Sequence, residues 1–301
     1  MNKNTWIGHL SLIGANLIYG VNYVISKGIM PDFFSPRAII FIRVSGTMIL
    51  FWLVSSFLPK EMPEKRDLLK LALCSFFGVA LNQIMFFEGL NLTTPINSSI
   101  IMTINPILVL VFSYFLLKDK ITLKKIAGII LGGSGTVLLI LSQGSVSFDS
   151  DKFVGNLFIV VNSSSFALYL VLVKPLMMKY KPVTIMKWLF LFGFILVLPF
   201  TIFPFSNLNY NQIPGEAWLS ITYIVIGATF TGYLLYNFAL RKVSPVVTSI
   251  YLYLQPLIAS LVAIIIGQDV LTLEAVISAI LIFTGVFFVS SNKIKNPGVV
   301  K

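Results

Sequence analysis

Apolar runs of about 20 residues recur ten times along this chain, separated by short segments that carry charges or Pro and Gly. They cover approximately 7–26, 38–58, 68–90, 95–117, 121–141, 153–177, 183–203, 217–240, 245–266 and 273–291. A helix of about 20 apolar residues is what it takes to cross a bilayer. Lipid cannot satisfy an exposed backbone N–H or C=O, so each run must be helical if it crosses. Composition points the same way: 57% of the 301 residues are hydrophobic and only 11% are charged, against about 25% charged in soluble domains. The expectation is an all-α integral membrane protein of ten transmembrane helices. The first run lacks a small-residue cleavage site, which reads as a retained helix and not a signal peptide.

The net charge of +11 would suit nucleic acid if the basic residues were clustered. They are instead dispersed between the apolar runs, which reads as a topology signal and excludes a nucleic-acid partner. With the N-terminus inside, eighteen of the 22 Lys and Arg fall on the cytoplasmic side. Only Lys27, Arg37 and Lys152 fall on the other, and Arg43 lies within a span. Cytoplasmic loops carry the positive excess, so both termini are expected in the cytoplasm of a bacterial cell, with the helices in its inner membrane. One cysteine and one histidine, Cys74 and His9, leave no basis for a disulfide or a multi-histidine metal site. No cofactor is expected.

Residues 81–141 align without gaps onto 231–291 at an offset of 150. Pro95, Ser99, Pro106, Asp119, Thr122 and Gly135 meet Pro245, Ser249, Pro256, Asp269, Thr272 and Gly285. Matched leucines are cheap in a membrane protein, whereas matched prolines, aspartates and glycines at one offset are not. The chain therefore divides into repeats over 1–145 and 146–301. Each has five helices, an odd number, so the second enters the membrane in the opposite sense. Inverted repeats are a recurring plan of secondary transporters, where two halves enclose a midplane site.

The first helix carries Tyr19-Gly20-Val21-Asn22-Tyr23, which resembles the W-G-x-N-F signature of the EamA-type permeases in the drug/metabolite transporter superfamily. Pro95 to Gly135 and Pro245 to Gly285 each resemble the fourth and fifth helices of that family. Tyr19 stands where the family has tryptophan, and Asp119 and Asp269 where it commonly has glutamate. The resemblance spans nearly the whole chain. It implies a ten-helix permease for small metabolites, often an exporter of amino acids or related compounds, working without ATP. No phosphate-cradling glycine loop is present, in keeping with that implication.

Polar groups inside a span are costly and tend to face the bundle interior or a water-filled cavity. Asn16, Tyr19 and Tyr23 share a stripe on the first helix, and Asn162 and Tyr169 share one on the sixth. Ser98 and Asn105 lie together on the fourth helix, Tyr233, Tyr236 and Asn237 on the eighth, and Tyr251 and Gln255 on the ninth. Facing one another, they would line a substrate cavity of aromatic walls and neutral amides, suited to a small molecule with an apolar body and hydrogen-bonding ends. The plain alternative is that they only join helices, at about 0.6 kcal/mol each. Pro106 and Pro256 should kink the fourth and ninth helices as hinges, presenting Asn105 and Gln255 at paired kinks.

Arg43 and Glu88 are expected at similar depth, as a static ion pair or, if Glu88 titrates, as a proton-coupling site. Gly128, Gly132 and Gly135 are read as a helix-packing face. Gly132-Gly133-Ser134-Gly135 also matches the G-x-S-G of intramembrane serine proteases, but His9 is too far from Ser134 to activate it, so no enzyme is expected. Asp119 and Asp269 are expected to cap the following helices. A lipid or lipid-carrier flippase is the alternative to a metabolite exporter, and monomer and homodimer are both open.

Overall fold

A computed structural model describes residues 3–142, 152–206, 208, 213–265 and 272–291, and among them every regular element is helical. Helices α1 (Lys3–Gly28) and α2 (Pro36–Ser56) come first, then α3 (Lys65–Ser75) and α4 (Leu81–Leu92), α5 (Pro95–Met102) and α6 (Asn105–Leu117), and α7 (Leu123–Ser142). The second half follows the same order. Helices α8 (Phe153–Lys179) and α9 (Pro182–Ser206) precede α10 (Gly215–Thr222) and α11 (Gly232–Lys242), then α12 (Pro245–Ile250), α13 (Leu254–Ile265) and α14 (Leu273–Ser290).

The helix starts are written in the sequence. Ser35, Thr94 and Ser244 each cap a helix whose first residue is proline, which has no N–H to leave unpaired. The expected aspartate cap is not found. Thr122 accepts from the Lys125 amide and Thr272 from the Ala275 amide, a hydroxyl reaching the first-turn N–H groups where the loop carboxylate of Asp119 does not. Asp269 lies outside the described residues.

Four of the expected helices are interrupted, in two matching pairs. Phe76–Ala80 joins α3 to α4 as a π-helical stretch, and Tyr223–Thr231 joins α10 to α11 in the same way. Within the second, the Thr229 and Thr231 hydroxyls donate to the carbonyls of Ile224 and Ile226, five residues back. The other pair breaks just ahead of the two mid-helix prolines. Thr103 and Ile104 separate α5 from α6, and a 3-10 turn, Tyr251–Tyr253, separates α12 from α13. A proline supplies no N–H to the preceding turn, so a tighter turn there is the physical expectation.

Eight helices among the described residues are long and apolar enough to cross a membrane, counting Lys65–Leu92, Asn97–Leu117 and Gly215–Lys242 each as one. Helix α1 and the segment Pro245–Ile258 fall outside that set. Helix α1 dilutes its apolar run with His9, Asn16, Asn22 and Ser26, all buried. The protein is a multi-pass membrane protein, and its surface is inverted relative to a soluble one. Phe57, Leu123, Phe203 and Leu273 are more than two-thirds exposed, while Asn16, Thr47, Asn105 and Asn237 are fully buried. Lipid is the solvent such a surface needs.

Packing repeats between the halves. Helix α1 lies against α11 and α13, and α8 lies against α4 and α6. Helices α2 and α9 pack on each other, as do α7 and α14. In the α7–α14 contact, a Cβ added at Gly285 would stand 2.6 Å from the carbonyl oxygen of Gly128, so the glycines permit backbone approach. Residues 150 apart also touch directly: Gln83 Nε2 donates to Tyr233 Oη at 2.9 Å, and Tyr253 Oη to the Thr103 carbonyl at 2.8 Å.

Candidate functional site

Residues that follow the two π stretches and residues at the two breaks meet at one cavity of about 80 Å³. Helix α1 contributes Tyr19 and Asn22, α2 contributes Arg43, and α4 contributes Asn82, Gln83 and Phe86. Met102 ends α5, Asn162 and Phe166 come from α8, Tyr233 from α11, and Leu252 and Gln255 from the broken segment that leads into α13. Rings form the walls, and amides and one guanidinium supply the polar groups.

Several wall groups are fixed by a neighbour. Tyr233 Oη accepts from Gln83 and lies 3.2 Å from the Gly78 carbonyl, to which it donates. Asn162 Nδ2 donates to the Asn82 carbonyl at 2.8 Å, tying α8 to α4. Gln255 Nε2 donates to Asn16 Oδ1 at 3.0 Å, and Asn16 in turn donates to the Leu12 carbonyl at 2.7 Å. Two acceptors, Gln83 Oε1 and Asn162 Oδ1, have no hydrogen-bond partner although both are buried. A buried unpartnered amide oxygen costs about 1–3 kcal/mol. Both residues line the cavity, and a ligand donor that reached either oxygen would remove that cost.

Of the residues expected at the site, Tyr19, Asn162, Tyr233 and Gln255 reach the wall. The others lie off the wall. Asn16 stands behind Gln255, Asn105 donates to the Ser163 carbonyl at 2.8 Å, and Ser98 is fully buried. Tyr169 donates to Asn237 Oδ1 at 2.7 Å, Tyr236 donates to the Thr248 carbonyl at 3.1 Å, and Tyr251 Oη sits 2.6 Å from His9 Nδ1. These bonds join helices one layer out from the cavity. The side chain of Tyr23 lies outside the described residues. Ser134 donates to the Leu131 carbonyl of its own helix at 3.0 Å.

The expected pair of Arg43 and Glu88 is not formed. Glu88 accepts from Arg37 Nε at 2.6 Å, near the end of the bundle where α2 starts and α4 finishes. Arg43 is six residues further along α2, about 9 Å deeper at 1.5 Å per residue, and it turns inward. Its Nε donates to Thr229 Oγ1, and its guanidinium carbon lies 5.5 Å from the centre of the Phe87 ring. Asn82 and Gln83 were not anticipated. They are adjacent, so they form no helical stripe, but two neighbouring amides in the middle of an apolar run were the available signal.

The model of the EamA-like transporter family matches this chain twice, over residues 6–141 and 153–291. The chain belongs to the EamA-like transporter family. Relatives of this EamA-like chain include the uncharacterized transporter YyaM of Bacillus subtilis (strain 168), 24% identical over 286 residues that cover 94% of this chain and 93% of the relative. A probable terminal-alkyne amino-acid exporter of Streptantibioticus cattleyicolor is 23% identical over 203 residues, covering 67% and 66% respectively. A solved crystal structure superposes with a TM-score of 0.72 at 17% identity, over 95% of this chain and 96% of the other. EamA-like membership makes this protein a membrane transporter.

Proposed function

We propose that this transporter works without ATP in the bacterial inner membrane and exports small organic metabolites, amino acids or related amphipathic compounds, by alternating access. The observation that carries the proposal is the central cavity, walled by rings and amides from both halves and set at paired helix interruptions. Broken helices at a midplane site are where transporters place their ligands. The ten helices would form two inverted five-helix repeats, with both termini cytoplasmic. Three findings support this: the family model matches twice, helix packing exchanges between the halves, and residues 150 apart meet one another. Contacts between equivalent residues are what a two-fold axis through the cavity would require. The breaks ahead of Pro106 and Pro256 would then be the hinges about which the halves rock.

The amino-acid reading takes support from the wall chemistry and from the name of the Streptantibioticus relative. A lipid flippase ranks second. An apolar groove of about 420 Å³ runs between α13 and α14, lined by residues such as Leu257, Leu261, Ile280 and Phe283. Among the described residues that lining has no charged side chain to draw a lipid headgroup across.

Metabolite profiling of bacteria expressing the protein tests the proposal, with Gln255→Leu at matched membrane abundance as the comparison. Amino acids enriched in the medium with the unmodified protein alone are the expected result. No difference in any small polar metabolite, together with altered lipid distribution between leaflets, would replace the exporter with the flippase.

A further inference from the structure

Arg43 is 5% exposed, yet no carboxylate partners it among the described residues. Glu88, the acid expected beside it from the sequence, is taken by Arg37. A buried charge without a counter-ion is expensive in any protein, and more so within a membrane. Arg43 is also held in place. The Thr229 hydroxyl donates to the Ile224 carbonyl across the π turn, which leaves its oxygen lone pair to accept from Arg43 Nε. The Phe87 ring lies against the guanidinium from another side. The guanidinium is thus oriented by neutral groups, with its charge uncompensated, on the wall of the cavity. The same wall carries two acceptors that lack donors, Gln83 Oε1 and Asn162 Oδ1.

We infer that Arg43 is the anchor for a substrate carboxylate, and that Gln83 and Asn162 receive a hydrogen-bond donor on the same molecule. The inference rests on the transporter reading above and narrows it to monocarboxylates that also carry an ammonium, amide or hydroxyl donor. Planar, two-pronged donation from guanidinium to carboxylate gives both strength and direction. Each part of such a molecule meets a group that the protein's own side chains leave unsatisfied: an anion for the cation, a donor for the acceptors. A neutral or cationic analogue of the same size would leave Arg43 uncompensated and should be excluded.

Purified protein in liposomes, preloaded with single amino acids or with the corresponding amino-acid amides, tests this. The amide keeps the side chain and the ammonium and removes only the anion. The expected result is efflux of the free acids at least tenfold faster than of their amides. In Arg43→Gln that ratio should fall to near one, and in Arg43→Lys it should be partly restored. Equal efflux of acid and amide from the unmodified protein would overturn the carboxylate anchor while leaving the transporter reading intact, and it needs no variant to fold. Efflux of neither compound from any preload would overturn the transporter reading and the anchor with it. If Arg43→Gln kept the full preference for acids, the anchor would lie elsewhere.

Discussion

The two halves of this protein share a backbone plan and differ at the cavity. Aligning α2 and α9 on their opening prolines, Pro36 and Pro182, puts Leu189 at the place of Arg43. Extending the 150-residue register by two puts Val79 at the place of Thr229. Gly232 stands for Asn82, and Tyr233 for Gln83. The first half thus supplies a cation and two adjacent amides, and the second supplies a glycine and a ring at the corresponding helix positions. Both halves keep the π stretch, the proline break and a tyrosine lying over a glycine, Tyr169 on Gly78 and Tyr19 on Gly232, although only the tyrosines are 150 residues apart: Gly78 meets Ala228, and Gly232 meets Asn82. What is kept in duplicate is the geometry of bending and close approach. What differs is the chemistry facing the ligand, so a site built from two like halves can still present different groups at its two ends.

The shared features should be the most sensitive. A Cβ at Gly78 would stand 2.4 Å from Tyr169 Cδ2, and one at Gly232 would stand 2.8 Å from Tyr19 Cε1. Gly78→Val and Gly232→Val should each destabilise the protein by about 1–3 kcal/mol through overpacking, read as a lower melting temperature in detergent. Loss of stability in only one of them would show that the two tyrosine–glycine contacts contribute unequally to the two halves. The amides ahead of the two prolines should separate next. Gln255→Leu alters the cavity wall and strands the buried Asn16 Oδ1, so it should cut transport at least tenfold and cost about 1–3 kcal/mol of stability. Asn105→Leu strands the Ser163 carbonyl and should cost about 1–3 kcal/mol of stability, leaving selectivity among substrates unchanged.

The two ends of the bundle offer a smaller contrast. At one end, Asp67 is buried and joins Lys70, Lys179 and Tyr180, at 3.1, 2.7 and 2.9 Å, binding the start of α3 to the end of α8. Asp67→Asn should cost about 1–2 kcal/mol, since hydrogen bonds to a charged group are the stronger kind, and it should raise transport that is limited by opening at that end. At the other end, Arg37 is more than half exposed in its pair with Glu88. Arg37→Gln should change melting by less than about 1 kcal/mol, and a larger effect would mark that pair as a latch.

Element positions were legible in the sequence because a membrane helix announces itself by length and apolarity, and Ser35-Pro36, Thr94-Pro95 and Ser244-Pro245 write their own starts. The breaks were legible through Pro106 and Pro256. The π stretches were not, since neither Phe76–Ala80 nor Tyr223–Thr231 contains proline, and their hydrogen-bond shift follows from packing. The cavity was half legible. Tyr19, Asn162, Tyr233 and Gln255 fall on stripes that a period of 3.6 finds, whereas the use of Arg43 depends on which of two arginines, Arg37 or Arg43, takes Glu88. That is decided by depth along α2, a matter of three dimensions.

The π stretch between α3 and α4 also sets the phase of one half-helix against the other. Each residue turns an α-helix by about 100°, so an extra residue held within the turn rotates everything downstream of it by a comparable angle without interrupting the rod. Asn82 and Gln83 look into the cavity at that rotated azimuth, while Leu73 and Phe76 upstream look outward to lipid. Winding the same residues as a regular α-helix would turn both amides about 100° away from the substrate, whereas removing a single residue from Phe76–Ala80 would absorb that offset and leave both amides facing the cavity.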